Sequence, residues 1–377
     1  MIVGTKYSED SDIFELPHVK KNIPWARICH KFDAWLANSN KKVRGISRLR
    51  YWLRTLAGGW PEIERALGRE DFNFPGSSSL LDLLKINPDI IHCHNLHGNY
   101  FDLRMLPKLS HQFPVILTLH DVWLLTGHCA HSLDCDQWRL GCEKCPYLKI
   151  YPKIKRDSTS YNWRRKRRIY EKSQFFVATP SKWLMDKVKE SILDQAILDY
   201  KVIPHGVDQS IFKLQEKKIA RSKLNLPLNG SVLLTVGNEF RNNPWKDYPT
   251  IVKALGSLDE RLPDHQILFL VVGQEAPPEQ IGRNKICFIP YQNEQSDVAT
   301  YYQAADIYIH AARAEVWGLT ITEAMACGTP VIATAVGGIP EQINPLNSQN
   351  NSPKAEHGAT GLLINEGDSK ELASSIS

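Results

Sequence analysis

Short apolar runs alternate with stretches of helical apolar spacing along the second half of the chain. Residues 232–237, 267–273, 286–290, 307–311, 331–333 and 361–365 each read as a buried strand. Between them, residues 297–305 and 319–327 carry helix formers with apolar positions three and four apart. Gly328 stands where a left-handed helix stop belongs, and Pro330 prevents continuation. Strand, helix, strand is the unit from which parallel sheets are built. The first half repeats the theme less regularly. Residues 89–95, 115–119 and 175–179 read as strands, and a helical pattern runs through Phe101, Leu103, Leu106 and Leu109. Pro180-Ser181-Lys182-Trp183 reads as a helix start. Met1 to Val3 reads as the end of a strand, followed by a polar stretch. Ile46, Leu49, Leu53 and Leu56 have helical spacing and are interleaved with Lys41, Lys42, Arg44, Arg48, Arg50 and Arg54. Ser-Gln-Asn-Asn-Ser-Pro at 348–353 reads as a loop, and the chain ends inside a helical pattern.

The fold class this predicts is α/β, with two doubly wound domains. At 377 residues the chain has room for both. Apolar content of 42% and charged content of 23% are those of an ordinary globular protein. The N-terminus lacks a signal-peptide core, and no run nears the roughly 18 apolar residues of a membrane span. A cytoplasmic location is expected. The net charge of +5 conceals an asymmetry: residues 1–200 hold 31 Lys+Arg against 22 Asp+Glu, and residues 201–377 hold 15 against 19. A basic first half suits an anionic lipid surface or acceptor; uneven solvation of two domains explains it equally well. The basic amphipathic stretch with Trp52 suits the inner face of a membrane, against a helix that merely covers its own domain.

Chemistry concentrates at residues 315–323. Gly318, Leu319 and Thr320 open a helix, where unpaired amides and the dipole favour phosphate. Glu315 precedes them and Glu323 lies one turn inside. Carboxylates repel an anion but accept hydrogen bonds from hydroxyls on either side of it. A nucleotide-sugar has that shape. The bland alternative is a helix-stabilising Glu323 and a solvated Glu315.

The words around these residues narrow the choice. Glu-x7-Glu with Gly-Leu-Thr between, then Glu-Ala-Met-Ala-Cys-Gly-Thr-Pro-Val-Ile, resembles the donor-site motif of the retaining family 4 (group 1) glycosyltransferases. Lys-Val-Ile-Pro-His-Gly-Val-Asp at 201–208 resembles their hinge, with His205 in place of the usual Asn. The resemblance implies the GT-B arrangement of two Rossmann-like domains across a cleft, with domains at 1–205 and 206–377. It implies retaining transfer from a nucleotide-diphosphate sugar to a polysaccharide or lipid-linked acceptor, without a catalytic metal. Catalytic roles fall on His120, Glu315 and Lys246. Donor contacts fall on Arg241, Tyr291, Gly318, Leu319, Thr320 and Glu323. The sequence departs from the family at Asn238, where Arg is usual, and at Asp247, where Gly is usual, so Arg241 stands as a replacement cation. The family begins with a full strand and Gly-rich turn and ends in further helices; both ends of this chain are therefore expected to be cut. Competing readings are a phosphorylase or epimerase of similar architecture, and a non-catalytic zinc-containing fragment that binds sugar nucleotides.

In the first half, His94 and His97 follow one strand, and His120-Asp121 ends the next. Ligands in open α/β sheets sit at carboxyl strand ends. The family segment Pro-Val-Ile-Leu-Thr-Leu-His-Asp assigns His120 to the donor sugar; His94, His97 and Asp121 are acceptor-side candidates. Half of the eight cysteines fall at Cys129, Cys135, Cys142 and Cys145, spaced Cys-x5-Cys-x6-Cys-x2-Cys. Under reducing conditions this reads as structural zinc, with His128 or His131 able to replace one ligand; packed or oxidised cysteines are the alternative. The segment 127–146 resembles a Cys-rich insertion in transferases of exopolysaccharide and colanic-acid type. Arg164 to Arg168 is a continuous basic run. No nucleic-acid recognition module accompanies it, so a solvated helix is expected and nucleic acid is not an expected partner.

Overall fold

The computed structural model describes residues 1–17, 26–38, 46–57, 59–84, 86–346 and 358–377. Lys41, Lys42 and Arg44 of the basic stretch, and the loop at 348–353, lie outside the described residues. The chain divides into two units: Met1–Thr179 with Met185–Lys201, and Pro180–Leu184 with Val202–Ser377. Both are α/β with parallel strands.

Up to residue 202 the elements run β1 (Ile2–Val3), β2 (Phe14–Glu15), α1 (Ala26–Asn38), α2 (Ile46–Ala57), α3 (Trp60–Ala66), β3 (Ile91–His94), α4 (Leu106–Gln112), β4 (Val115–Thr118), α5 (Thr159–Tyr170), β5 (Phe175–Thr179), α6 (Lys182–Lys189) and β6 (Ile197–Val202). The main sheet has the order β3-β4-β5-β6, with β3, β4 and β5 parallel. β1 and β2 form a separate parallel pair. Alternation along β4 buries Val115 and Leu117, and that along β5 buries Phe175 and Val177.

The basic run departs from expectation. α5 is not a solvated helix: Asn162, Trp163, Lys166, Ile169 and Tyr170 are buried. Lys166 is fully buried and bonds Glu70 at 3.0 Å and the carbonyls of Trp123 and Thr126 at 2.8 and 3.0 Å, with the Trp123 ring 3.8 Å away. Arg165 lies over Phe72 and bonds the Glu70 carbonyl. Only Arg164, Arg167 and Arg168 of the run face solvent. A Lys on the core face of an amphipathic helix can stay there because carbonyls and a carboxylate replace its water.

From residue 202 onward come α7 (Lys217–Lys223), β7 (Ser231–Val236), α8 (Tyr248–Arg261), β8 (Ile267–Val272), β9 (Glu279–Ile281), β10 (Asn284–Ile289), α9 (Gln295–Ala304), β11 (Ile307–His310), α10 (Leu319–Ala326), β12 (Val331–Thr334), α11 (Ile339–Gln342), β13 (Gly361–Ile364) and α12 (Ser369–Ile376). The sheet order is β13-β12-β11-β7-β8-β10-β9, all parallel except the short edge strand β9. The strands β7, β8, β11 and β12 are buried on both faces, which is why they read as unbroken apolar runs. Leu233, Phe269 and Val271 pack with Ile251, Leu255 and Leu258 of α8 on one face. Val232, Leu234 and Leu270 pack with Tyr302 of α9 and Ile321 and Ala324 of α10 on the other.

α10 stops as its residues dictate. Gly328 takes φ +77°. Its amide bonds the Met325 carbonyl at 3.0 Å, and the Thr329 amide bonds that of Ala324 at 3.0 Å. This pair of bonds is the Schellman stop, and glycine supplies the left-handed residue without a Cβ clash. Pro180–Leu184 groups with the second unit because Glu341 accepts the Lys182 and Trp183 amides at 2.7 Å each, capping the start of α6 with a carboxylate. Among the described residues no helix is long and apolar enough to cross a membrane.

Candidate functional site

In the second unit the loop between β11 and α10 meets the loop between β7 and α8. The two are joined by main-chain bonds: Asp247 N–H to the Ala311 carbonyl, and Arg313 N–H to that of Trp245, each 2.9 Å. An isolated antiparallel bridge pairs Lys246 with Ala312. The Asp247 carboxylate is buried and accepts from Thr250 at 2.7 Å and Arg313 at 3.1 Å. A buried carboxylate bonded on both sides fixes this corner, which gives a physical role to the residue where the family usually has Gly.

The pairing brings Lys246 Nζ to 3.4 Å from Glu315 Oε2. The side chains are 15% and 22% exposed, so the pair is shielded yet open to a ligand. His310, at the end of β11, places Nε2 3.3 Å from the same oxygen. Burial, then the neighbouring Lys246, push the His310 pKa down to about 4 although Glu315 pulls it up. The imidazole is therefore neutral. Its Nδ1 lies 3.1 Å from the Tyr308 hydroxyl, which donates to Thr320 Oγ1 at 2.7 Å. His310 was not assigned a role from sequence; only its position inside the motif-bearing strand could have drawn attention to it. Gly337 supports Glu315 from behind. It has φ +57°, and a Cβ there would lie 1.7 Å from the Glu315 carbonyl oxygen.

At the start of α10 the amides are not all open, as the sequence suggests they are. Gly318 N–H donates to Gln342 Oε1 at 2.9 Å, and Gln342 Nε2 donates back to the Gly318 carbonyl at 3.0 Å. The Leu319 and Thr320 amides have no acceptor among the described residues, and they carry the positive end of the helix dipole. Glu323 lies one turn further on and accepts from the Tyr302 hydroxyl at 2.8 Å. Burial raises its pKa, with the Tyr302 bond opposing.

Tyr291 is exposed and borders an open cavity of about 690 Å³ at the carboxyl ends of β7, β8 and β10, with Asn238, Gly273, Gln274, Pro290 and Asn293. Arg241 points its guanidinium at Glu279, 2.9 Å away, and stacks near Tyr248 and Phe288. A phosphate role for Arg241 would require that ion pair to open. A further cavity of about 560 Å³, bordered by Met325, Gly328, Pro330, Leu346 and Leu362, lies at the opposite end of α10 from Glu315.

The first unit gathers its own polar cluster at the ends of β3 and β4. His94 Nδ1 lies 2.9 Å from His120 Nε2, and the rings stack with centroids 5.2 Å apart. His97 Nε2 lies 2.7 Å from Asp121 Oδ2, while Asp121 Oδ1 accepts the Trp123 amide at 2.8 Å. The Tyr151 hydroxyl approaches His97 Nδ1 at 3.4 Å. His92, not assigned from sequence, bonds Thr118 at 2.7 Å and stands beside His94. Parallel register, with His94 opposite Thr118, sets these side chains at one strand end.

Two Rossmann-like units, each with polar side chains at carboxyl strand ends, define the class. The description "Glycosyltransferase Family 4" matches residues 61–210, and "Glycosyl transferases group 1" matches residues 216–377. Together they take in most of the chain, which belongs to the group 1 glycosyltransferases of GT-B fold. The D-inositol 3-phosphate glycosyltransferase of Mycobacterium leprae is 34% identical over 172 residues, 42% of this chain and 35% of that protein. The chain thus spans about a third of that relative's length. The putative colanic acid biosynthesis glycosyl transferase WcaC of Escherichia coli is 24% identical over 305 residues, 78% of this chain and 67% of that protein. Among solved structures, Anabaena Alr3699/HepE in complex with UDP and glucose superposes with a TM-score of 0.52 at 17% identity, covering 95% of this chain and 87% of that one. Sucrose-phosphate synthase of Thermosynechococcus elongatus gives 0.52 at 22% identity, covering 78% and 64%.

Proposed function

We propose that this protein transfers a sugar from a nucleotide-diphosphate sugar to a polysaccharide or lipid-linked acceptor, with retention at the anomeric carbon, in exopolysaccharide or cell-surface glycan synthesis. The observation that carries the reading is the convergence of Lys246 and Glu315 beside the opening of α10. The barrier to glycosyl transfer is negative charge growing on the leaving diphosphate and positive charge on the sugar ring. Lys246 and the Leu319 and Thr320 amides supply fixed positive potential for the first. Glu315 accepts sugar hydroxyls and offers negative charge to the second. Neutral His310, with Nε2 3.3 Å from Oε2, packs against Glu315 and fixes its orientation. Glu323 takes ribose hydroxyls, and the cavity beside Tyr291 takes the base. His120 contacts the donor sugar, and His94, His97 and Asp121 serve the acceptor. The solved relative HepE binds UDP and glucose, which supports a nucleotide-sugar donor.

Peripheral association with an anionic membrane face belongs to the same reading. Ile28, Phe32 and Trp35 are 59%, 55% and 67% exposed on α1 at helical spacing, and Leu49 and Arg48 are exposed on α2. An apolar stripe with neighbouring cations suits a lipid surface.

A panel of nucleotide-sugars tested for ligand-induced shifts in melting temperature addresses the donor. One or a few are expected to stabilise the protein, and Lys246→Ala is expected to abolish the shift. No shift with any nucleotide-sugar at millimolar concentration would count against the reading.

A further inference from the structure

The Cys-rich segment between β4 and α5 takes no part in the proposed transfer. Its thiols nevertheless face one another. Cys129, Cys135, Cys142, Cys145 and His128 all border one enclosed cavity of about 20 Å³, roofed by Trp138. That is room for one atom-sized occupant. We propose that this cavity is a structural zinc site held by His128, Cys135, Cys142 and Cys145.

The imidazole is set for it. His128 Nδ1 lies 3.1 Å from the Pro152 carbonyl, which can only accept, so Nδ1 carries the proton. The Nε2 lone pair then points at Cys145 Sγ, 3.4 Å away. Metal-binding histidines are oriented by this kind of outer bond to a carbonyl. The sulfurs are prepared as acceptors. Cys142 Sγ receives the Gly127 amide at 3.2 Å, and Cys145 Sγ receives the Tyr147 amide at 3.4 Å. Amide donors to sulfur favour thiolate over thiol. Cys142 and Lys144 both hold left-handed backbone, φ 54° and 53°, so the Cys-x2-Cys turn is bent at a cost that needs a compensating contact.

Among the described residues no three potential ligands already stand at the spacing of an occupied site. Loading must therefore draw the sulfurs inward by side-chain rotation to the roughly 2.3 Å of a zinc–sulfur bond. Three thiols would each release a proton to solvent as their sulfur lone pairs bind the metal. The loaded site, with three thiolates and a neutral imidazole, carries one net negative charge. Cys129, whose main-chain carbonyl accepts from the Thr126 hydroxyl at 2.8 Å, is left out of the set. With four protein ligands there is no open position, so the metal pins the loop. That loop carries Tyr151 to His97, and the pin thus extends to the acceptor-side cluster.

The test is zinc content of the full chain, purified under reducing conditions, together with cobalt(II) reconstitution. About one equivalent of zinc is expected, with cobalt giving tetrahedral visible bands and near-ultraviolet thiolate charge transfer. Cys142→Ser with Cys145→Ser should lose the metal, and Cys129→Ser should keep it. Less than about a tenth of an equivalent of zinc after reconstitution, or a cobalt spectrum without thiolate bands, would overturn the site. Retention by His128→Ala with loss in Cys129→Ser would overturn the ligand set. The wild-type cobalt spectrum decides even if the serine variants fail to fold. None of these readouts depends on sugar transfer.

Discussion

Glu315 sits between two nitrogens of different character, a charged Lys246 and a neutral His310. Removing either end should be felt in turnover more than in folding. Glu315→Gln keeps the shape and removes the charge; a loss of roughly 10²-fold in kcat is expected, the size seen when one electrostatic stabiliser is lost. Lys246→Met should lose a similar factor, and steady-state kinetics with the donor found by thermal shift checks both. His310 also gives a stability signature. Its folded pKa of about 4 lies below the ordinary 6.5, so below pH 6.5 the unfolded chain takes up a proton that the folded one refuses. The contribution of His310 to stability is full above pH 6.5 and falls by about 3 kcal/mol on going down to pH 4. Urea midpoints across that range should fall less steeply in His310→Gln. Gly337→Ala tests the support from behind. Its Cβ cannot share space with the Glu315 carbonyl, and a loss of about 1–3 kcal/mol together with weakened donor binding is expected from calorimetry and titration.

Elements differ in how openly the sequence announces them. β8 reads directly, because a central parallel strand must be apolar on both faces and Ile267–Val272 is. α10 and its stop read directly as well, since Gly328 and Pro330 punctuate it. α1 carries Ile28, Phe32 and Trp35 at helical spacing, a short stripe that stays on the surface instead of facing a core. β9 is three residues of an edge and carries no pattern. α5 misleads for another reason: its charges resemble a solvated face, while Lys166 is the core of it. Removing one partner of a buried ion pair leaves the other without compensation. Lys166→Met is therefore expected to destabilise the first unit by roughly 3–5 kcal/mol in denaturant unfolding, whereas exposed Arg168→Met should change it by less than about 0.5 kcal/mol. The candidate site was legible as residue types around Glu315 and Glu323. The His310 contact was not, because it depends on how the carboxylate folds back over a strand end.

At the scale of the molecule, the excess of positive charge in residues 1–200 belongs to the same unit as the exposed apolar stripe of α1, while residues 201–377 carry an excess of negative charge. Flotation with vesicles containing anionic lipid should recover the protein, recovery should fall with added salt, and Trp35→Glu should reduce it several-fold. Equal recovery with neutral vesicles would remove the electrostatic part. The joining of the Lys246 and Glu315 loops has a different kind of consequence. It is made by amides and carbonyls of Trp245, Asp247, Ala311 and Arg313, groups that nearly every amino acid possesses. The main-chain part of the place from which Lys246 reaches out is thus specified independently of the letters around it, and the Asp247 carboxylate adds a side-chain tie of its own. Asn238 and Asp247 can depart from the family's usual residues while the cation stays put. The two loops are thus held at a fixed joint while other side chains that line it can change.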